Sequence, residues 1–139
     1  MIILENETNT TINLNKLEKI VNILNIKKDI ELLIVSNKKI QQINNEFRNI
    51  NKPTDVLSFP LKDLPNAPLG SIIISIDKAK SAALSYNHSI EEEVTLLFIH
   101  GILHLLGYDH EEDNGEMRQK EEELIKLLNL PKSLIVRTI

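Results

Sequence analysis

Residues 90–110 read IEEEVTLLFIHGILHLLGYDH and predict the central helix of the fold. Ser89 and Glu92 have the spacing of a capping box, and the acidic first turn suits the helix dipole. The second half is apolar nearly all round, which predicts a buried helix over residues 90–106. Gly107 is a natural C′ residue, because glycine readily takes the left-handed conformation that ends a helix and reverses the chain.

The same stretch carries three of the four histidines, His100, His104 and His110, in the spacing H-x-x-x-H-x-x-G-x-x-H. A gap of four residues turns a helix by about 400° and advances it about 6 Å, so His100 and His104 share one face. The reversal at Gly107 is expected to return His110 to that face. Three imidazoles leave the fourth position of a zinc ion open, as catalytic sites do. The spacing therefore predicts one Zn²⁺ bound by these three histidines, and it is also the spacing of the metzincin peptidases.

Composition predicts one soluble globular domain over residues 1–139, with 42% hydrophobic and 26% charged residues. The net charge of −4 argues against a protein that coats nucleic acid non-specifically. The chain has no cysteine, so zinc must rest on histidine and carboxylate, and a reducing compartment fits. No secretory signal or membrane span is expected, and we predict a cytoplasmic protein.

Apolar periodicity predicts an α+β fold, in which helices pack on a small mixed β-sheet and the metal-binding helix lies at the centre. We expect an N-cap for the third helix at Asp77 and a solvated face for the acidic run Glu121–Glu123. Strands are predicted at about 1–5, 30–36, 55–59 and 70–76, and helices at about 14–25, 36–48, 77–86, 90–106 and 115–128.

A three-histidine zinc site suits hydrolysis of either a peptide or a phosphodiester, because zinc lowers the pKa of bound water from about 15.7 toward 7. Zinc peptidases with an H-E-x-x-H helix use that glutamate as the general base, but here the position is Gly101. Gly101 either leaves room beside the metal or permits close helix packing. Glu111, Glu112 and Asp113 are the candidate replacements for the missing base, although acids directly after the third ligand are more typical of a solvated turn.

A second informative stretch is FRNINKPTDVLSFP at residues 47–60. The planar guanidinium of Arg48 can form a bidentate pair of hydrogen bonds with phosphate, which makes it a candidate phosphate ligand. The alternative is that Arg48 only complements the dipole at a helix C-terminus. Thr54 and Asp55 are candidate caps or turn residues. Asp55 is equally a candidate outer partner of a histidine ligand, and Asp109 has the same two interpretations, as a turn residue or as such a partner.

These stretches together resemble the YbeY family of bacterial metal-dependent endoribonucleases. The resemblance rests on HGILHLLGYDH at 100–110, on Arg48 with PTDVLSFP at 53–60, and on LGSIIIS at 69–75, and it covers about residues 30–115. It implies zinc held by His100, His104 and His110, with Arg48 lining the same cleft and needed for activity. It also implies maturation of the 3′ end of 16S ribosomal RNA and ribosome quality control, with small-subunit RNA, and possible assembly proteins, as partners.

One position departs from the family pattern. The third motif commonly reads Gly-Asp-Ile, whereas this chain has Ser71 in place of the acid. A carboxylate role at that position is therefore in doubt, while the metal ligands and Arg48 are unaffected.

Three functions remain distinguishable by experiment. The first is hydrolysis of single-stranded RNA, with Arg48 stabilising charge on the phosphate. The second is a zinc peptidase, against which Gly101 counts. The third is a non-catalytic RNA-binding assembly factor that zinc only stabilises.

Overall fold

The computed structural model describes residues 1–61, 64–109 and 111–131. Its strands are β1 (Ile2–Asn6), β2 (Ile30–Val35), β3 (Val56–Pro60) and β4 (Gly70–Ser75). Its helices are α1 (Asn15–Ile23), α2 (Asn37–Arg48), α3 (Ile76–Tyr86), α4 (Ile90–Leu105) and α5 (Glu116–Leu127). Each predicted helix and strand is found within two residues of its expected ends, and the α+β class is confirmed.

The four strands form one mixed sheet in the order β1-β2-β4-β3. β1 pairs with β2, and β2 with β4, in parallel, whereas the edge strand β3 runs antiparallel to β4. Helical connections such as α1, between β1 and β2, are what parallel neighbours require. Because β3 lies at the edge, one side of this strand and of the loop before it remains accessible, and a cavity forms there.

One face of the sheet packs on the main hydrophobic core, and the other packs on a smaller cluster under α2. Ile72 and Ile74 of β4 point into the main core with Phe98 and Ile102 of α4, and all four are fully buried. Ile73, between them, belongs to a second, smaller cluster with Val35, Ile40 and Leu57 under α2. This alternation is the period of two expected for a strand that is buried on both faces. α4 therefore lies against the sheet as predicted, with its histidine-bearing end near β3.

Gly101 permits close packing of α4 on the sheet. A Cβ atom there would lie 2.8 Å from Cγ2 of Ile72 and 3.3 Å from its Cγ1 and Cδ1. Gly101 does not line the cavity that contains the histidines. Of the two explanations offered for this glycine, the structure supports helix packing.

We expect Gly101→Ala to lower the free energy of unfolding of the metal-free protein by about 1 kcal/mol. Alanine favours a helix by about 1 kcal/mol over glycine, but overpacking a core typically costs about 1–3 kcal/mol. Urea unfolding measures the difference. In an Ile72→Ala background the same substitution should stabilise, since the clashing atoms are gone. An equal loss in both backgrounds would contradict the packing explanation.

The helix starts confirm one cap and correct another. Ser89 accepts from the Glu92 N–H at 3.0 Å while Glu92 accepts from the Ser89 N–H at 2.7 Å, which is the predicted capping box. The predicted cap at Asp77 is wrong, because the side chain of Ser75 caps α3 and Asp77 lies in its first turn. The Asp77 carboxylate instead accepts from the backbone N–H of Asn37, at the start of α2. No helix in the described ranges is long and apolar enough to cross a lipid bilayer.

Candidate metal centre and its cleft

His100 and His104 lie one turn apart in the last part of α4 and bring their side chains together. Their Nε2 atoms are 3.2 Å apart, and the two rings meet edge to face with centroids separated by 4.7 Å. The backbone spacing predicted this common face. The imidazoles are held by a helix whose Phe98, Ile99 and Ile102 are fully buried, so the helix positions them rigidly.

The chain reverses after α4 in the way the glycine predicted. Gly107 has φ +98°, its N–H donates to the His104 carbonyl, and the Tyr108 N–H donates to the Leu103 carbonyl. These two bonds are the Schellman motif, which satisfies carbonyls at the helix end. His110 lies outside the described residues, so its place relative to the other two histidines stays a prediction. Within the described residues, no group of three or more potential metal ligands is found.

Glu121 was predicted on a solvated face, and this is wrong. The residue is only 3% exposed, and its Oε1 lies 2.8 Å from Nδ1 of His100. An ionised carboxylate can only accept a hydrogen bond, so this contact favours the neutral His100 tautomer with the proton on Nδ1 and the lone pair on Nε2. Glu122 and Glu123 do lie near the surface, where they pair with Arg118 and Lys120 respectively.

A signal for Glu121 was present in the spacing of α5. The buried residues of this helix are Met117, Glu121, Leu124 and Ile125, which recur at helical spacing on one stripe. An acid in the middle of an apolar stripe is expected to be buried, and a buried carboxylate needs a partner. Within the run Glu121–Glu123 only the first residue belongs to this buried stripe, whereas Glu123 is exposed.

Arg48 crosses from the end of α2 to β3. Its Nη2 donates to the carbonyl of Ser58 at 2.7 Å, and its guanidinium carbon lies 5.1 Å from the centre of the Phe59 ring. In the part of the chain that the structure describes, no carboxylate forms an ion pair with Arg48. The side chain is thus directed by β3 rather than by the carbonyls of its own helix, and guanidinium donors remain for a ligand.

One cavity of about 500 Å³ contains both imidazoles and Arg48. Strand β3 and the loop before it form one wall, and the end of α4 with its reversal forms the other. The lining residues are Arg48, Thr54, Asp55, Val56, Leu57, Ser58, Pro60, His100, His104, Gly107, Tyr108 and Asp109. The hydroxyl of Ser58 donates to the Gly101 carbonyl at 3.2 Å, which ties the two walls together.

The acids predicted beside the site have different surroundings. Asp109 lines the cavity and closes a turn, with Oδ1 accepting from the Glu111 N–H at 3.0 Å, so its interpretation as a turn residue is supported. Asp55 also lines the cavity, next to the Thr54 hydroxyl at 3.5 Å. Glu111, Glu112 and Asp113 do not line it. Its carboxylates are those of Asp55 and Asp109, among the described residues.

Ser71 lies away from this cavity. It pairs with Phe59 and Glu31 across the sheet and lines a separate groove on the side of α2, with Glu5 and Phe47. Its neighbour Ile72 points to the opposite face, toward α4. The missing acid at position 71 therefore removes no carboxylate from the site of His100 and Arg48.

The two described imidazoles fit a tetrahedral zinc ion. Ligand nitrogens about 2.0–2.1 Å from zinc at tetrahedral angles lie about 3.3 Å apart, close to the 3.2 Å between the two Nε2 atoms. In the tautomer protonated on Nδ1, Nε2 of His100 has the lone pair that can bind zinc, and a carboxylate is a common partner of the other nitrogen of a zinc-bound histidine. The donor chemistry thus suits a zinc ion at the cavity wall.

Comparison with known proteins agrees with the sequence motifs. A family model described as Endoribonuclease YbeY matches residues 3–129. Proteins called Endoribonuclease YbeY from Nautilia profundicola and Aliarcobacter butzleri are each 58% identical to the chain, over 137 and 141 residues. Both alignments cover 99% of the chain, and they cover 98% and 99% of the two relatives. The relative of that name from Helicobacter pylori is 53% identical, over 99% of each chain.

A solved structure has the same fold. The solution structure of TM1509 from Thermotoga maritima matches with a TM-score of 0.67 and 32% sequence identity. The match covers 92% of the chain and 89% of TM1509.

Proposed function

The chain belongs to the YbeY endoribonuclease family, and from this premise we propose that it hydrolyses single-stranded RNA with the help of one zinc ion. The observation that supports the proposal most directly is that Arg48, His100 and His104 line one cavity. A site that combines imidazoles with an arginine fork suits a phosphodiester better than a peptide, which offers no anionic group at its reacting centre.

The proposed zinc ligands are His100, His104 and His110. Zinc bound there would supply a Lewis acid for a phosphate oxygen and lower the pKa of water beside it. The chain's own contribution is to fix the two described imidazoles on a buried helix and to hold Nδ1 of His100 against Glu121, which turns Nε2 toward His104 at the cavity wall. A metal held by these residues would face an open cavity, as a catalytic metal does, and would not be enclosed in the core.

Arg48 is proposed to bind the phosphate that is attacked. Its bond to the Ser58 carbonyl and its place over Phe59 orient the guanidinium before substrate arrives. Preorganised donors stabilise charge that develops in the transition state without having to reorganise. Asp55 and Asp109 line the same cavity, and they are the carboxylates proposed for proton transfer in the described part of the site.

The biological substrate is proposed to be the 3′ end of 16S ribosomal RNA. The proposed cellular roles of the chain are maturation of the small ribosomal subunit and ribosome quality control in the cytoplasm, and the further partners proposed are assembly proteins. The overall negative charge does not favour tight non-specific RNA binding, so recognition is expected to depend on such partners and on an unstructured RNA segment that enters the cleft.

Metal removal tests the proposed function. We expect chelated, metal-free protein to lose cleavage of an unstructured RNA by at least about 100-fold and to recover it with one equivalent of zinc, because zinc charge stabilisation amounts to several kcal/mol. Structured RNA and an unfolded protein serve as comparison substrates. Undiminished RNA cleavage by the metal-free protein would contradict the proposal, and cleavage of the unfolded protein alone would favour the peptidase hypothesis. Tight binding without cleavage would favour the assembly factor.

A further inference from the structure

Glu121 is the one acid of α5 that turns away from solvent toward another helix. Its side chain is 4% exposed, while the His100 side chain it meets is 31% exposed. The surrounding residues of its stripe, Met117, Leu124 and Ile125, are fully buried in the main core. α5 is therefore anchored by apolar packing on both sides of Glu121, which leaves the carboxylate little freedom to move.

A buried carboxylate needs a specific reason, because removing a charge from water is costly unless the charge is paired and hydrogen-bonded. Here the partner is Nδ1 of His100, 2.8 Å from Oε1. A purely structural pair has no reason to include a residue that lines the cavity. This pair instead joins the core to an imidazole whose other nitrogen, Nε2, faces Nε2 of His104 at the cavity wall.

We propose that Glu121 is a positioning residue for the metal centre, which holds the His100 ring in the tautomer and orientation needed for zinc. This inference rests on the proposed function, in that it assumes a metal at His100. The carboxylate accepts from Nδ1–H, so the lone pair stays on Nε2 and points at the cavity. It also increases the electron density on the ring and makes His100 a stronger ligand. α5 thus belongs to the active site although it does not line the cavity.

The expected effect is a loss of zinc affinity without loss of fold. Glu121→Gln keeps the size of the side chain and an acceptor oxygen but removes the charge, and we expect about tenfold weaker zinc binding. Glu121→Ala removes the acceptor as well and should weaken binding about 100-fold, the upper part of the range seen for such partners. Glu123→Gln is the matched control, since Glu123 lies two residues away on the exposed face and should bind zinc like the wild type.

Zinc affinity, measured by competition with a chromogenic chelator, should be accompanied by thermal unfolding of each metal-free variant. A second readout is the nitrogen NMR spectrum of the His100 ring in metal-free protein. It should show Nδ1 protonated in the wild type, and Nε2 protonated in a large fraction of Glu121→Ala. A merely structural role for Glu121 would lower the unfolding temperature and leave both the tautomer and the affinity of the folded protein unchanged.

The outcomes separate this inference from the proposed function. Graded loss of affinity in the order wild type, Gln, Ala, with Glu123→Gln unchanged, supports the positioning role. Equal zinc affinity for wild type and folded Glu121→Gln overturns the positioning role and leaves zinc-dependent cleavage standing. Wild-type protein that binds no zinc overturns the proposed metal dependence, and the positioning role with it. If Glu121→Ala fails to fold, the comparison with Glu121→Gln alone decides.

Discussion

Replacing His104 by alanine is expected to lower zinc affinity by more than about 100-fold and RNA cleavage by at least about 1000-fold. Loss of an outer partner of a ligand costs about 10–100-fold in affinity, and loss of a ligand should exceed that. Without the metal, several kcal/mol of charge stabilisation disappear, and each 1.36 kcal/mol corresponds to about a tenfold change in rate. Chelator competition measures the zinc affinity, single-turnover cleavage of an unstructured RNA measures the rate, and metal content verifies the loss of zinc.

Leu106→Ala provides the control for this substitution. Leu106 follows His104 by two residues and is 40% exposed, and it does not line the cavity. We expect zinc binding and cleavage close to wild type for this variant. Metal-free His104→Ala should unfold near the temperature of metal-free wild type, since His104 is only half-buried. His104→Ala protein that is folded, still binds zinc with wild-type affinity and is fully active would remove His104 from the proposed site.

The local features of the site were predictable because they depend on residues close in the chain. Helical spacing alone places His100 and His104 on one face, and the left-handed preference of glycine marks the reversal at Gly107. The capping box at Ser89 fixes the start of α4 for the same reason. Each of these depends on backbone geometry over fewer than about ten residues, so no knowledge of the rest of the chain is needed.

The features that were missed depend on distant parts of the chain or on competing local signals. Serine and aspartate are both good N-caps, and at the start of α3 the choice between Ser75 and Asp77 was settled by where β4 ends. Asp77 then serves α2, 40 residues away. Glu121 meets His100 across 21 residues. Its inward face was readable from its spacing with Met117 and Leu124, but its partner required the packing of α5 on α4.

The nearness of Arg48 to the histidines is likewise a consequence of topology. The sequence motif around Arg48 predicts a phosphate ligand, but the distance from the end of α2 to α4 depends on β3 pairing antiparallel to β4 at the edge of the sheet. That pairing carries Ser58 and Phe59, which direct the guanidinium. Only the family resemblance anticipated that Arg48 and the histidines line one cleft; among the described residues, Arg48, His100 and His104 line one cavity.

Arg48→Glu is expected to reduce RNA cleavage by about 100-fold to 1000-fold, while zinc affinity stays within about threefold of wild type. Removing one preorganised donor at a developing charge costs about that much in rate, and the new carboxylate adds repulsion of the phosphate. Zinc binding should persist, because Arg48 is proposed as a phosphate ligand and is not among the proposed metal ligands. Cleavage rate, RNA affinity and chelator competition on the same preparation test the separation.

Two further variants make this prediction specific. Arg48→Lys keeps the positive charge but loses the planar fork, so it should retain more activity than Arg48→Glu and less than wild type. Arg118→Glu makes the same charge reversal on the surface of α5, where Arg118 pairs only with Glu122 in the described residues, and it should cleave RNA like wild type. If Arg118→Glu lost as much activity as Arg48→Glu, general electrostatics would explain the loss better than a phosphate contact.

Comparing the two single variants, His104→Ala and Arg48→Glu, distinguishes metal binding from phosphate binding. His104→Ala should lose zinc and cleavage together, whereas Arg48→Glu should lose cleavage with zinc retained. A peptidase with the same histidines would need no cation at the position of Arg48, since a peptide carries no phosphate for a guanidinium to bind. Full RNA cleavage by zinc-loaded Arg48→Glu protein would therefore argue against a phosphate-binding role for Arg48, and a loss confined to RNA substrates would argue for it.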